Sequence, residues 1–185
     1  PREILISRDG IKLQEIKTNS IIGTSSFRRE FQIKRRKENI SCKLIRGNVD
    51  TRIRKLKEGL YDAIILSLAG IQSLGLEKEI TQIFLTDEII PSAGQGIICA
   101  QCKENNSSII ELLNKINDPS TYKCAVAERD VLKILEGDCE TAVGAHAVLK
   151  NDKIELEAEL FSLDGTHRYY QKETKDIKEF DKIGI

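Results

Sequence analysis

The sequence predicts an α/β protein in two parts, and three observations support this. In the first part, short apolar runs alternate with amphipathic segments, as in a mainly parallel, doubly wound sheet. After about residue 145, three longer runs separated by turn signals indicate a three-stranded antiparallel sheet. A stretch rich in proline and glycine, residues 91–96, lies between the two patterns. We therefore expect an α/β lobe followed by a small α+β domain.

The first part contains four apolar runs that are short enough to be buried strands. Each of the last three is followed by a polar turn that opens an amphipathic or glycine-ended segment, as expected of helices that cross over a sheet. In chain order the predicted strands are 3–7, 20–23, 43–46 and 61–66, and the predicted helices begin at residues 24–29, 47–52 and 67 and end near 37, 59 and 74.

The second part begins with a short apolar run, residues 97–100, which predicts a further strand. Two helices are expected next, 109–116 and then 119–135, because Asp118 and Pro119 suit the first turn of a helix. The antiparallel strands are expected at 145–149, 153–161 and 167–173, with turns at Asn151-Asp152 and Asp164-Gly165. These patterns divide the chain into residues 1–90, a hinge and return segment 91–117, and residues 118–185.

Composition excludes several classes of function. The chain has 185 residues, a net charge of zero and no apolar run of the roughly 18 residues that a membrane span needs. The basic run 34–37 has no aromatic residues among its cations, so neither a nucleic acid nor a membrane is expected as a partner. Five cysteines without a disulfide-type spacing predict a reducing compartment, the cytoplasm, with a plastid-type organelle as the alternative. Methionine is absent and Pro1 comes first, so we expect a piece of a longer protein.

Arginines and hydroxyls cluster at two successive strand-to-helix turns. Such turns meet at the carboxyl edge of a doubly wound sheet, where free backbone N–H groups and guanidinium groups together bind anions. The alternative is a capped helix with solvated surface charges. The candidate residues are Ser25, Ser26, Arg28 and Arg29 at the first turn and Arg46 and Arg52 at the second.

Cys139 follows a helix-ending glycine, Gly137, and precedes an apolar run. A thiol on such a loop can be a nucleophile, a redox group or an attachment point, although a small buried residue is the alternative. Cys99 and Cys102 form a C-x-x-C pair inside a predicted strand, without a second pair or suitably spaced histidines. We therefore expect two core cysteines there and no metal.

Several motifs together resemble the porphobilinogen deaminase family, also called hydroxymethylbilane synthases. No one motif is specific, but their order and spacing match over essentially the whole chain. They are Gly23-Thr24-Ser25-Ser26-x-Arg28-Arg29, Arg46-Gly47-Asn48-x-x-Thr51-Arg52, the run 61–66, Ala69-Gly70-x-x-x-Leu74-Gly75, Gly94-Gln95-Gly96, and Glu128-Arg129 followed by Gly137-x-Cys139.

The resemblance implies a three-domain transferase of tetrapyrrole and haem biosynthesis. Members of the family join four porphobilinogens head to tail with release of ammonia, on a dipyrromethane cofactor held by a thioether to a loop cysteine. Cys139 matches that cysteine. The residues that match the family's ligands for acetate and propionate groups are Ser26, Arg28, Arg29, Arg46 and Arg52. The implied partners are porphobilinogen and the growing oligopyrrole.

The chain also departs from the family pattern. The family's N-terminal domain, which supplies the catalytic aspartate, has no counterpart here, so the catalytic residue stays unknown and the chain alone is expected to be inactive. Residues 1–90 would resemble one lobe of a periplasmic binding protein, and residues 91–117 would complete the absent domain, which is thus an expected partner. The full-length protein is expected to be a monomer. Asp138, Ala142 and Ser73 replace a small residue, a proline and an arginine that are frequent in the family.

A second hypothesis is a non-enzymatic lobe that binds a carboxylate-rich small molecule. Both hypotheses use the arginine-rich turns, and Cys139 distinguishes them, because a simple receptor needs no thiol on a loop.

Overall fold

The computed structural model describes residues 1–135 and 141–185 and contains two β-sheets. The first sheet has five strands in the order β3-β2-β4-β1-β5 and is accompanied by three helices. The strands are β1 (Glu3–Ser7), β2 (Ile21–Gly23), β3 (Ser41–Lys43), β4 (Ala63–Ser67) and β5 (Gln82–Ile83), and the helices are α1 (Phe27–Arg36), α2 (Val49–Lys57) and α3 (Leu68–Gln72).

Helices cover both faces of this sheet, as the sequence predicted. On one face, Ile33 of α1 packs into a cluster with Leu5 and Ile65. On the other face, α2 contributes Leu56 and α3 contributes Ile71 to a second cluster. Burial on both faces explains why β1 and β4 are nearly continuous apolar runs instead of alternating ones.

The sheet is mixed, which corrects the prediction of a mainly parallel sheet. β2 pairs in parallel with β3 and β4, whereas β1 lies antiparallel to both β4 and β5. A strand that is buried on both faces has the same apolar pattern in either direction, so the sequence predicted the burial of β1 but not its direction. The third strand also ends at Lys43, before the predicted range 43–46 is complete.

Residues 97–100 do not form the predicted strand. They are irregular, and the side chain of Ile98 is 98% exposed. Cys99 is exposed as well, so the expectation of a buried core cysteine at this position was wrong. Among the described residues, no strand edge pairs with this segment, and an unpaired strand is not stable on its own.

The second sheet confirms the predicted antiparallel arrangement, with order β6-β7-β8. Helix α4 (Ser107–Ile116) precedes α5 (Pro119–Ile134), and the strands are β6 (Val143–Lys150), β7 (Lys153–Phe161) and β8 (Arg168–Asp176). Asp118 caps α5 by accepting a hydrogen bond from the backbone N–H of Thr121 at 2.6 Å. Among the described residues, none of the helices combines the length and the apolar character needed to cross a bilayer.

The segment from Ile90 to Gly94 joins the two sheets through hydrogen bonds on both sides. Gln32 of α1 donates to the carbonyl of Ile90 at 2.9 Å and accepts from its N–H at 2.7 Å. On the other side, the carbonyl of Pro91 accepts from the N–H of Ala145 in β6 at 2.9 Å. Ile90 and Pro91, at the start of the predicted hinge, are therefore hydrogen-bonded to both halves of the structure.

Candidate anion-binding site

The turn between β2 and α1 positions the first arginine pair. Ser26 is the N-terminal cap of α1, and its hydroxyl accepts a hydrogen bond from the N–H of Arg29 at 3.4 Å. Thr24 Oγ1 accepts from the N–H of Ser26 at 3.1 Å, and Ser25 Oγ donates to the carbonyl of Ile45. These bonds fix the start of α1 against the neighbouring turn, so the direction in which Arg28 and Arg29 leave the helix is fixed too.

Arg28 points into the protein interior. Its Nη2 donates to Glu3 Oε1 at 2.6 Å, its Nη1 donates to the carbonyl of Ile90 at 2.6 Å, and Gln95 lies at 3.4 Å. Burial lowers the pKa of Arg28, and the ion pair with Glu3 opposes this. Arg28 thereby connects the sheet to the segment that joins the two halves.

Arg29 uses the other oxygen of the same carboxylate but keeps free donors. Its Nη2 lies 2.9 Å from Glu3 Oε2, and its side chain is 14% exposed. The contact is an ion pair without an aligned hydrogen bond, since Glu3 Oε2 and the buried Arg29 Nε have no hydrogen-bond partner in the described structure. Arg29 Nε is therefore a buried donor whose hydrogen bond no group of the described structure supplies, which is uncommon in folded proteins.

Glu3 belongs to the site although no sequence motif indicated it. It is the first residue of an apolar strand, and its side chain is fully buried between the two arginines. Burial alone would raise the pKa of this carboxyl, but Arg29 and Arg28 outweigh that effect and hold the pKa below its usual value. A charged residue at the start of a buried strand, in a chain that also has two adjacent arginines at a helix start, is the signal that could have revealed it.

An open pocket of about 660 Å³ lies beside Arg29 and brings the two turns together. Arg52, from the first turns of α2, donates through Nε to the carbonyl of Gly47 at 2.8 Å. Burial lowers the pKa of Arg52, and the positive charge of Arg29 lowers it further. The pocket is lined by Arg29, Gly47, Asn48, Val49, Asp50, Arg52, Leu66, Ser67, Leu74 and Leu76.

The other predicted ligands lie outside this lining. Arg46 is exposed, and its carbonyl accepts a hydrogen bond from Lys55 at 2.9 Å. Ser26 serves as a helix cap. Ser73, which stands where the family often has an arginine, donates through Oγ to the carbonyl of Ala69 at 2.8 Å. Of the five residues that match the family's carboxylate ligands, the pocket lining thus contains Arg29 and Arg52. Cys139, together with Asp138, lies outside the described residues.

The remaining candidate groups form no second site among the described residues. In the basic run 34–37, Lys34 pairs with Glu30 at 2.6 Å, and Lys37 donates to the carbonyl of Gln14 at 2.9 Å. Over residues 1–135 and 141–185, histidine, cysteine and carboxylate side chains form no group of three that could hold a metal ion. The two guanidinium groups and the apolar wall therefore point to one ligand type, an anion with an apolar body.

Two family models match this chain in sequence. The model described as "Porphobilinogen deaminase, dipyromethane cofactor binding domain" matches residues 1–111, and "Porphobilinogen deaminase, C-terminal domain" matches residues 122–185. The chain belongs to the porphobilinogen deaminase family. The resemblance stated from the motifs is thereby confirmed, as is the expected dipyrromethane cofactor for this kind of domain.

Curated porphobilinogen deaminases match the chain from end to end. The protein of Bacillus thuringiensis (strain Al Hakam) is 41% identical over 187 residues, and that of Thiobacillus denitrificans (strain ATCC 25259 / T1) is 36% identical over 184 residues. Each alignment covers 100% of this chain and 60% of the relative. The chain thus spans about 60% of the length of the porphobilinogen deaminases it matches.

Proposed function

We propose that the protein is a porphobilinogen deaminase, a transferase that joins four porphobilinogens into hydroxymethylbilane and releases one ammonia at each step. The observation that carries this proposal is the pocket that Arg29, Arg52 and an apolar wall line together, within the part of the chain that matches the cofactor-binding model. We propose a cytoplasmic location and, for residues 1–90, a lobe like that of a periplasmic binding protein.

The donor set of the pocket fits a dipyrromethane. Each of its two pyrroles carries an acetate and a propionate, and a guanidinium group matches a carboxylate with two parallel N–H donors. Leu66, Leu74 and Leu76 supply an apolar wall against which flat rings can pack. When bound, the cofactor supplies the pyrrole carbon to which the first substrate is joined.

The residues of this chain then perform binding and orientation. Arg29 and Arg52 bind the carboxylates, and the leucines exclude water from one side of the rings, which strengthens those ion pairs. Cys139 is the proposed covalent anchor, and Ser26 and Arg46 are proposed as further carboxylate ligands at the same edge of the sheet. Arg28, which matches a family ligand as well, is proposed to support the site from the interior, because its donors go to Glu3 and to the carbonyl of Ile90. Substrate and oligopyrrole carry the same two acid groups on every ring, so one kind of site serves all of them.

The experiment is turnover by the full-length natural protein made in cells that supply porphobilinogen. We expect consumption of porphobilinogen, release of four ammonia molecules for each linear tetrapyrrole, and a porphyrin after acid treatment and oxidation. Binding of porphobilinogen without any ammonia release would contradict the transferase and would favour the non-enzymatic lobe.

A further inference from the structure

The adjacent arginines Arg28 and Arg29 both contact the carboxylate of Glu3, a residue outside the motifs that match the family. Glu3 lies on β1 and pairs with Ser67 of the neighbouring strand β4. Ser67 lines the pocket. Its side chain is fully buried, and its two oxygens lie 2.6 Å and 2.9 Å from the guanidinium groups of Arg28 and Arg29. One carboxylate therefore serves two adjacent arginines.

The two arginines use this carboxylate differently. Arg28 makes an aligned hydrogen bond to Glu3, and its other terminal nitrogen donates to the carbonyl of Ile90. Arg29 makes an ion pair only, and its buried Nε has no acceptor in the described structure. The donors of Arg28 are thus directed inward, whereas Arg29 is held by an ion pair and also lines the pocket.

The charges around Glu3 support the same difference between Arg28 and Arg29. Glu3 sets one negative charge against the positive charges of Arg28 and Arg29. In the pocket lining, Arg52 adds a positive charge and Asp50 a negative one, so these five groups together keep a net charge of +1. Buried like charges repel unless an anion lies between them. A second carboxylate beside Arg28 and Arg29 would neutralise both arginines and remove the attraction for an anionic ligand.

We propose that Glu3 is a positioning residue that orients Arg29 toward the carboxylates of pyrrole ligands and leaves its charge partly unneutralised. This inference rests on the proposed function, because the ligand it names is a pyrrole with acetate and propionate groups. Glu3 touches neither ligand nor reacting atoms and acts through Arg29.

The test measures binding, so that turnover is not needed. The probe is a porphobilinogen analogue that lacks the aminomethyl group, which keeps both carboxylates but cannot condense, and calorimetry on full-length protein gives its dissociation constant. Glu3→Gln should weaken binding at least tenfold, and Glu3→Asp should weaken it less. Glu58→Gln is the matched control, since Glu58 pairs with Arg54 at 2.8 Å on an exposed helix surface, and it should leave binding unchanged.

A double-variant comparison separates positioning from a general loss of structure. Arg29→Leu should weaken binding by itself, and Glu3→Gln should add less than a twofold further loss in that background. Losses that multiply in the double variant would overturn the proposal, as would a Glu3→Gln protein that binds within twofold of the parent. Should Glu3→Gln fail to fold, the same comparison is made with Glu3→Asp, alone and in the Arg29→Leu background. Failure of the parent to bind the probe would count against the proposed function instead.

Discussion

Glu128 Oε2 accepts a hydrogen bond of 2.7 Å from the backbone N–H of Gly94. The other oxygen of the same buried carboxylate accepts from the N–H of Ala147 at 2.9 Å and lies 3.3 Å from Nδ1 of His146. The side chain of Glu128 in α5 therefore accepts backbone hydrogen bonds both from the segment that joins the two sheets and from the edge strand β6. This explains why a charged residue occurs on the buried face of that helix.

Glu128→Gln should lower the free energy of unfolding by about 1–3 kcal/mol, because the amide turns a donor toward a backbone N–H and leaves it without an acceptor. Urea unfolding followed by circular dichroism measures the change. The control is Glu111→Gln on α4, whose side chain is 75% exposed and lies 3.6 Å from Lys115. It should alter stability by less than about 0.5 kcal/mol. Equal stability of the Glu128 variant and the parent would contradict this prediction.

Much of the fold follows from local patterns, and the exceptions have physical reasons. The second sheet was predicted strand by strand, because apolar runs separated by short connections with turn residues favour an antiparallel meander. Left-handed backbone at Asn151 and Gly165 agrees with those turns. The direction of β1 and the irregular segment 97–100 were not predicted, because both depend on which strand edge is available in space and not on the run itself.

The sequence likewise predicted only the part of the candidate site that local motifs determine. The two strand-to-helix turns indicated Arg29 and Arg52, and the structure brings both to one pocket. The inward direction of Arg28 and the role of Glu3 depend on a contact between residues 25 positions apart, which spacing within one motif does not reveal. The roles of Ser26, Arg46 and Cys139 and the division into residues 1–90, 91–117 and 118–185 remain predictions.

Arg52→Leu should weaken binding of the non-condensing porphobilinogen analogue by about 1.5–3 kcal/mol, the range for hydrogen bonds to charged groups. Arg52→Lys restores the charge but not the two parallel donors, so its loss should be intermediate. Arg54→Leu is the control on the same helix, because Arg54 is 64% exposed and pairs with Glu58 outside the pocket lining. Similar losses in the Arg52 and Arg54 variants would show that the ligand lies elsewhere.

The Cys42 thiol should be unreactive in the folded protein. Burial, with a smaller contribution from Glu30, raises its pKa to about 12. At pH 8 only about one molecule in ten thousand would carry the reactive thiolate. Alkylation with iodoacetamide followed by peptide mass spectrometry should label the exposed Cys99 first and label Cys42 only after unfolding in urea. Equal labelling rates at the two cysteines in folded protein would contradict this burial.

Helix α4 exposes apolar side chains at Ile109, Leu112 and Ile116. We propose that another part of the longer protein packs on this face, since the matched relatives extend well beyond the length of this chain. Hydrogen exchange of the α4 amides should therefore be fast in the isolated chain and slow in the full-length protein. Helix α5, which packs on the second sheet, serves as the internal control. Protection of α4 equal to that of α5 in the isolated chain would contradict the proposal.

The most direct test of the account is the position of the covalent cofactor. Full-length protein made in the presence of porphobilinogen should carry a dipyrromethane on Cys139, and thiol reductants should not remove it because the link is a thioether. Cys139→Ser should abolish the added mass, whereas serine at Cys42, Cys99, Cys102 or Cys124 should leave it. Peptide mass spectrometry that finds the adduct on another cysteine, or finds none on Cys139 in active protein, would contradict the assignment and the proposed function with it.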